Sequence, residues 1–323
     1  MRAVVQDGFG GTEQLDMREV PEPVPGEGEV LVRVQAAGVD RGTWHLLSGL
    51  PYLGRPFFGI RSPRFPVVGR EVAGTVVAHG PGVDPTDLPV GTPVIGTAGG
   101  SCAELAVVPM ARIARAPRDL APEQAAALPV SGLTALQAVR RGDVGPGSRV
   151  LVIGASGGVG SYAVQVAAAA GAEVTGVCSA AKADLVRDLG ARHVVDYRTA
   201  EPGADGSTYD LVLDVAGNRP LRVLRRLLTP SGTLVIVGGE EGGPVLGGVQ
   251  RQLWALLWSP FLSQRLTSMV ASESADDLAA LVALVDAGDV RAPVARTVDL
   301  AETAEALDLL AAGEVRGKVT VRV

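Results

Sequence analysis

The chain has 323 residues, of which 47% are hydrophobic and 42 are glycine, which suits a turn-rich enzyme of two domains better than a disordered chain. Its formal net charge of -6, without any basic run, argues against a nucleic-acid or acidic membrane partner, and no apolar run is long enough to span a bilayer. With no signal peptide at the start and no C-x-x-C pair, we expect a cytoplasmic protein without a disulfide framework or a cysteine-rich zinc lobe.

The first 125 residues predict a mainly antiparallel β-sheet domain. Short valine-rich runs such as EVLVRVQAAGV alternate there with glycine and proline turns. Between residues 126 and 272, apolar strands such as RVLVIGA and YDLVLDVAG alternate with helical segments, a pattern typical of a doubly wound parallel sheet. Residues 273–323 add helices and strands and end in GKVTVRV.

One predicted strand of the first region, VVGREVAG, carries two opposite charges side by side. Neighbouring side chains of a strand point to opposite faces, so Arg70 and Glu71 do not simply pair with each other. We therefore expect at least one of them to face another charged group.

The strongest local motif is VLVIGASGGVG, in which an apolar strand runs through glycines into a helix. Glycine permits a tight turn and lets the backbone approach a pyrophosphate, which the first N–H groups of the helix then bind. A glycine-rich turn without a ligand is the alternative. In its strand–helix context, the motif predicts a dinucleotide-binding loop of Gly154, Ala155, Ser156, Gly157, Gly158, Val159 and Gly160.

The end of the next strand, VCSAAKADL, indicates which dinucleotide is bound. An NAD enzyme usually has an acidic residue there for the ribose 2′-hydroxyl, whereas this chain has Ser179, followed by Lys182. Lys182 is one of only two lysines in the chain, and a cation on the first turn of a helix is unfavourable without a nearby anion. We therefore predict NADPH, with Tyr197 and Arg198 as further contacts; an ordinary solvated lysine is the alternative.

Several segments in this order resemble the medium-chain dehydrogenase/reductase superfamily, and within it the zinc-independent, zeta-crystallin-like quinone oxidoreductases. They include AAGVDRGTWHLLSG, FPVVGREVAGTVVAHG, LPVSGLTALQAV, VIGASGGVGSYAVQVA and RGKVTVRV, and together they span nearly the whole chain. The resemblance implies an α/β protein with a GroES-like, mainly-β catalytic domain (residues 1–125 and 273–323). It also implies a Rossmann domain with a doubly wound parallel sheet (residues 126–272), and a homodimer joined through that sheet.

The resemblance also bears on metal binding. Zinc-dependent relatives have metal ligands at positions that hold Asp40, Arg70 and the ligand-poor run AALPVSG here. An arginine cation opposes a divalent ion, so we predict no catalytic metal. Arg70 has two possible roles: it pairs with Asp40 as a structural replacement for the metal, or it stabilises the oxygen of a bound acceptor.

Without zinc, reduction of an already polarised acceptor is the most plausible chemistry. Hydride transfer to a quinone or an α,β-unsaturated carbonyl needs mainly positioning, an oxyanion partner and a proton. We take Asp40, Arg70, Tyr52 and His45 as candidate catalytic residues, the last two as proton donors, although His45 is also explained as a solvated histidine. The alternatives are an enoyl-thioester or biosynthetic-intermediate reductase, and an NADPH-binding sensor or interaction protein with little turnover.

Aromatic residues are concentrated in two segments. Five of the twelve lie in residues 42–65 and three more in residues 250–262. We expect them to line one pocket for a small hydrophobic or conjugated carbonyl substrate, with Trp44, Tyr52, Trp254 and Trp258 as its walls. Loop anchoring in the first segment and an amphipathic or dimer-facing helix in the second are equally consistent with the sequence.

The resemblance assigns further residues to the nicotinamide end of the cofactor. Beside the nicotinamide and its ribose it implies Thr134, Val215, Ala216, Gly238 and Gly239. Turn geometry and packing explain these residues as well.

Overall fold

The computed structural model describes residues 1–217, 219–239 and 243–323. The strands in chain order are β1 (Arg2–Gln6), β2 (Leu15–Glu19), β3 (Glu29–Val39), β4 (Glu71–His79), β5 (Pro93–Thr97), β6 (Leu105–Pro109), β7 (Ile113–Arg115), β8 (Arg149–Ile153), β9 (Glu173–Cys178), β10 (His193–Asp196), β11 (Tyr209–Asp214), β12 (Leu228–Ile236), β13 (Arg265–Ser268), β14 (Val294–Asp299) and β15 (Lys318–Arg322).

Helices connect most of these strands. In chain order they are α1 (Arg41–Ser48), α2 (Arg55–Phe58), α3 (Pro122–Ala125), α4 (Pro129–Arg141), α5 (Gly158–Ala169), α6 (Ala183–Asp188), α7 (Leu221–Arg226), α8 (Gly243–Leu246), α9 (Val249–Trp258), α10 (Ala275–Asp286) and α11 (Thr303–Ala311). Short 3-10 turns cover Thr12–Gln14, Tyr52–Gly54, Met110–Arg112, Ala180–Lys182, Ser259–Phe261 and Leu300–Glu302. None of the helices in the described ranges is long and apolar enough to cross a membrane.

The strands from β8 to β13 form one parallel sheet in the order β10-β9-β8-β11-β12-β13. Leu151, Ile153 and Leu213 of its central strands are buried, as expected where helices cover both faces of a sheet. Asp214, the last residue of β11, is in register with Ile153 of β8 and Ile236 of β12. The carboxyl ends of the central strands therefore meet at one edge, where ligands of such sheets bind.

A second sheet, of mixed direction, has the order β14-β15-β3-β4-β5-β7, with β6 also paired to β3. Along β3, Val30, Val32 and Val34 are buried while Arg33 is exposed, so this strand has one core-facing side. The C-terminal strand β15 runs antiparallel to β3, with Val319 opposite Val39. The end of the chain thus completes a sheet that begins near residue 29, as the sequence predicts; the domain limits themselves stay a prediction.

Candidate active site

The glycine loop joins β8 to α5 with almost no free space. Gly154 has a φ of 88°, a conformation that side chains other than glycine rarely adopt. A Cβ atom at Gly160 would collide with the carbonyl oxygen of Gly154. Helix α5 begins at Gly158, and the first N–H groups of a helix have no partner within it. The loop therefore has the tight turn that the motif predicts; binding of an anion by this loop stays a prediction.

The residues predicted for the nicotinamide end lie beside this loop. The backbone N–H groups of Val215 and Ala216 both donate to the carbonyl of Ile153, at 3.1 Å. The N–H of Gly238 donates to the carbonyl of Asp214 at 3.2 Å, and a Cβ at Gly238 would collide with the carbonyl of Val215. The strand-end register thus brings Val215, Ala216 and Gly238 to the edge that carries the glycine loop.

Thr134 lies inside α4 rather than in a turn. Its side chain is largely buried, and its hydroxyl donates to the carbonyl of Val130 at 2.7 Å. Within the described residues, this hydroxyl is held by its own helix.

At the end of β9, Ser179 is buried and Lys182 already has two partners. The Lys182 amine donates to the carbonyls of Gly313 at 2.9 Å and Val315 at 2.8 Å. Burial and the positive charge of Arg316 lower the pKa of Lys182. Arg316, which the sequence analysis did not single out, is therefore a second cation at this corner, and it is exposed.

The other lysine of the chain lies at the centre of a buried network. Lys318 forms an ion pair with Glu71, and its amine also donates to the carbonyl of Val39 at 3.0 Å. The second oxygen of Glu71 accepts from the N–H groups of Val130 at 2.9 Å and Ser131 at 3.4 Å, at the start of α4. The carboxylate thus satisfies orphan donors of a helix N-terminus.

The same lysine contacts the glycine loop. A Cβ at Gly158 would lie 3.3 Å from Cδ of Lys318, and the N–H of Gly317 donates to the carbonyl of Ser156 at 2.9 Å. Lys318 therefore connects the glycine loop to the first strands of the mixed sheet. The sequence contained one signal for this residue, its rarity: it is the second of only two lysines.

Burial dominates the titration of Glu71. Burial raises the pKa of Glu71 to about 7. The positive charge of Lys318 lowers this pKa, whereas the negative charge of Asp40 raises it. The carboxyl is fully buried, so its charged form depends on Lys318 and on the helix N–H groups.

Arg70 and Glu71 face different partners, which confirms the prediction that at least one of them meets a charge. Arg70 forms an ion pair with Glu273, whose other oxygen lies 2.7 Å from Arg112. Burial lowers the pKa of Arg70. The negative charges of Asp40, Glu273 and Glu71 outweigh burial and raise this pKa above its usual value. The predicted direct pair with Asp40 is replaced by a pair with Glu273, a residue that sequence reasoning missed.

Asp40 caps the first helix. Its Oδ1 accepts from the N–H of Thr43 at 2.7 Å, whereas its buried Oδ2 has no hydrogen-bond partner among the described residues. A Cβ at Gly42 would lie 3.0 Å from Asp40 Oδ1 and 2.8 Å from Nη1 of Arg70. The carboxylate and the guanidinium thus border the same small space, which explains their electrostatic attraction without a direct bond.

A further buried ion pair lies below the strand ends. Asp214 is fully buried and pairs with Arg251 of α9. Burial raises the pKa of Asp214, while the charge of Arg251 lowers it. Asp214 also accepts from the N–H of Gly217 at 3.2 Å, so the pair holds the turn after β11. An acidic residue ending an apolar strand, in YDLVLD, was the signal in the sequence.

The candidate proton donors lie on α1 and on the turn after it. Nδ1 of His45 donates to the carbonyl of Leu50 at 2.8 Å. Tyr52 is half exposed, and the guanidinium of Arg55 lies 4.9 Å from the centre of its ring. Both side chains therefore lie on one segment, which follows Asp40 directly.

The predicted pocket walls differ in burial. Trp44 packs against the core beneath the mixed sheet, whereas Trp254 and Trp258 are both exposed to solvent, with ring centres 6.1 Å apart. A Cβ at Gly247 would collide with the ring of Pro51, so the turn that precedes the second aromatic segment touches the first segment.

The residues present do not fit a catalytic zinc ion. In residues 1–217, 219–239 and 243–323, no three His, Cys, Asp or Glu side chains form a group that could hold a metal. Arg70, at a position that zinc relatives use for a ligand, is a cation paired with Glu273, and Glu71 is paired with Lys318. Because Arg70 is a cation and Glu71 is engaged by Lys318, these positions do not provide the ligand atoms that a zinc ion requires.

The comparisons with known proteins identify the family of this chain. Residues 26–118 match the family model described as alcohol dehydrogenase GroES-like domain, and residues 189–321 match the one described as zinc-binding dehydrogenase. The chain is 32% identical to the chloroplastic quinone-oxidoreductase QR1 of Triphysaria versicolor, over 99% of this chain and 98% of that one. The chain belongs to the medium-chain dehydrogenase/reductase superfamily, as a quinone oxidoreductase-like member.

Solved structures of this superfamily share the whole fold. The quinone oxidoreductase from Coxiella burnetii superimposes with a TM-score of 0.84 at 27% identity, over 100% of this chain and 99% of that one. A mycobacterial member solved in complex with NADPH gives a TM-score of 0.82 at 28% identity, with both chains fully covered. The predicted α/β fold, with its GroES-like and Rossmann parts, is confirmed, and the protein is an oxidoreductase.

Proposed function

We propose that this member of the superfamily is a zinc-independent, NADPH-dependent reductase that transfers hydride to a quinone or an α,β-unsaturated carbonyl. The observation that carries the proposal is the replacement of a metal-ligand set by the Arg70–Glu273 ion pair next to Asp40. The partly buried cation of Arg70 supplies part of the positive charge that a metal would provide to a developing oxyanion. QR1 and the Coxiella burnetii protein are both named quinone oxidoreductases, which supports the acceptor class.

The preference for NADPH rests on the corner beyond β9. Ser179 offers a hydroxyl, Lys182 holds the loop of residues 313–315, and Arg316 on the same loop adds an exposed cation. No acidic residue occupies the Ser179 position, where an NAD enzyme binds the ribose 2′-hydroxyl. Together the three side chains suit a 2′-phosphate.

When bound, NADPH supplies the hydride. The residues of this chain then have the remaining tasks: the glycine loop binds the pyrophosphate, and the Arg70 guanidinium stabilises negative charge on the acceptor oxygen. Tyr52 or His45, on the segment after Asp40, supplies the proton. The ion pair between Lys318 and Glu71 holds the glycine loop next to the segment that follows Asp40.

The edge strand β13 suits a homodimer, which we also propose. It ends the parallel sheet, and among the described residues only its inner edge is paired. An unpaired strand edge favours association with a second copy. The cytoplasmic location inferred from the sequence stays a prediction, and the relative QR1 is chloroplastic.

A steady-state assay tests the proposal. Oxidation of NADPH and NADH is followed with 1,4-benzoquinone, a cyclic enone and a 2-enoyl thioester, and the metal content of the protein is measured. We expect turnover with the first two acceptors, a preference for NADPH that Arg316→Met reduces about tenfold, and no stoichiometric zinc. Turnover with the thioester alone would favour the enoyl reductase, and tight NADPH binding without any turnover would favour the sensor.

A further inference from the structure

Helix α9 presents its apolar residues to solvent. Ala255 is fully buried and Arg251 turns inward to Asp214, whereas Leu257 is 60% exposed and Trp254 is 53% exposed. A surface helix normally buries its apolar side and exposes its charges. Exposed apolar surface of this kind marks a contact site.

The loop after α1 continues this surface. Phe57 is 74% exposed, and Ile60 and Phe65 are exposed as well. The two segments touch where Gly247 lies against Pro51. We call the surface formed by residues 52–65 and 245–261 the apolar rim.

The charged residues within the rim are Arg55, Arg61, Arg64 and Arg251, of which Arg251 is paired with Asp214. Neither rim segment has an aspartate or glutamate, although the chain has 35 acidic residues. The nearest acidic residues along the chain from the second segment are Glu240, Glu241 and Glu273. Arg61 and Arg64 are exposed on the rim, and the Arg64 guanidinium lies 5.6 Å from the centre of the Phe65 ring.

We propose that the apolar rim docks on the surface of an anionic lipid bilayer. Tryptophan, phenylalanine and leucine beside arginine, without acidic residues, are the composition that binds at the headgroup level of such a membrane. We expected no membrane partner because of the net charge of the whole chain and the length of its apolar runs. Neither quantity describes a local surface that lies on a bilayer without crossing it.

Docking in this way has a consequence for the substrate, which rests on the proposed function. Tyr52 and Trp254 lie on the rim, and Tyr52 follows the Asp40 and His45 segment closely. A rim in contact with the bilayer would let a lipophilic quinone enter the cleft directly from the lipid. The natural acceptor would then belong to the long-chain, membrane-dissolved quinones.

Vesicle flotation tests the docking without any enzymatic readout. The protein is mixed with vesicles of phosphatidylcholine alone or of phosphatidylcholine with phosphatidylglycerol, and tryptophan emission is recorded in parallel. Because Trp254 and Trp258 are two of the three tryptophans, insertion should shift the emission to shorter wavelength. We expect flotation and the blue shift only with phosphatidylglycerol vesicles.

Two double variants change the rim, and two controls change matched positions elsewhere. Leu253→Gln/Leu257→Gln removes apolar surface, with Val24→Gln, 85% exposed, as its control. Arg61→Glu/Arg64→Glu reverses charge, with the exposed Arg33→Glu as its control. Each rim variant should reduce vesicle binding at least about tenfold, and the controls less than about twofold.

Three outcomes would overturn the proposal. One is wild-type protein that does not float with phosphatidylglycerol vesicles, and another is equal loss in rim and control variants. The third is a lipid-free dimer that dissociates in Leu253→Gln/Leu257→Gln, which would make the rim an interface between copies. Turnover of the variants with soluble 1,4-benzoquinone is measured separately; it tests the proposed function and leaves the docking result unaffected.

Discussion

The proposed nucleotide site, formed by the glycine loop of residues 154–160 and the ends of β8, β11 and β12 and here called the nucleotide edge, differs from the apolar rim in what builds it. At the nucleotide edge, backbone atoms form the site: glycines contact carbonyls, and three strand ends lie in register. At the rim, side chains on short helices and turns form the surface, and no strand register fixes them. The geometry of a site formed by backbone atoms depends on which residues are small enough to allow close contacts. The geometry of a site formed by side chains depends on how the loops that carry them pack. The buried Lys318–Glu71 ion pair, which lies beside the glycine loop, is the first place to test this difference.

Removing the Lys318 charge should have the largest effect. Lys318→Met leaves Glu71 buried without its partner, which costs about 3–5 kcal/mol of unfolding free energy. The free energy is measured by urea unfolding. The control is Arg2→Met, which breaks an exposed ion pair with Glu104 and should cost less than about 1 kcal/mol. Equal losses in the two variants would show that the buried relay has no special weight.

A single added methyl group should weaken NADPH binding at the nucleotide edge. Gly160→Ala places a Cβ against the carbonyl of Gly154, so the turn must shift and NADPH affinity should fall about 100-fold, or about 2.7 kcal/mol. Gly145→Ala, where a Cβ meets no atom within 4 Å, is the control. Affinity is measured by NADPH fluorescence titration, with circular dichroism to verify the fold. Unchanged affinity in Gly160→Ala would show that the loop does not hold the cofactor.

These two positions show what the sequence determined and what it did not. The glycine motif predicted the tight turn between β8 and α5, because the motif depends only on residue spacing within one strand–turn–helix unit. The pairing of Glu71 with Lys318 joins residues 247 positions apart, and nothing in local pattern selects one partner among 29 basic residues. Arg70 does lie near Asp40, as predicted, but its ion pair is with Glu273, which lies at the start of the last segment of the chain.

The pH dependence of stability should report Glu71. Its pKa rises from 4.5 to about 7 on folding, so the folded state binds the proton more tightly than the unfolded state between these values. This contribution is fully present below about pH 4.5 and is lost as the pH rises through about 7, by at most about 3.4 kcal/mol. Urea unfolding from pH 5 to 8 should show a shallower fall in Glu71→Gln than in wild type. The control Glu104→Gln, whose pKa is lowered by Arg2, should leave the slope in this window unchanged.

The smallest expected effect distinguishes the two roles of Arg70 on the acceptor side. Arg70 and Arg112 both contact Glu273, but Arg70 lies beside Asp40 and is half-buried, whereas Arg112 is exposed. If Arg70 faces the acceptor oxygen, Arg70→Thr should lower kcat with 1,4-benzoquinone about tenfold, while NADPH affinity changes less than about twofold. Arg112→Thr removes the other cation from the same carboxylate and should leave kcat within about twofold of wild type. Equal kcat values in both variants would make Arg70 a purely structural partner of Glu273, and the acceptor oxygen would then depend on Tyr52 or His45.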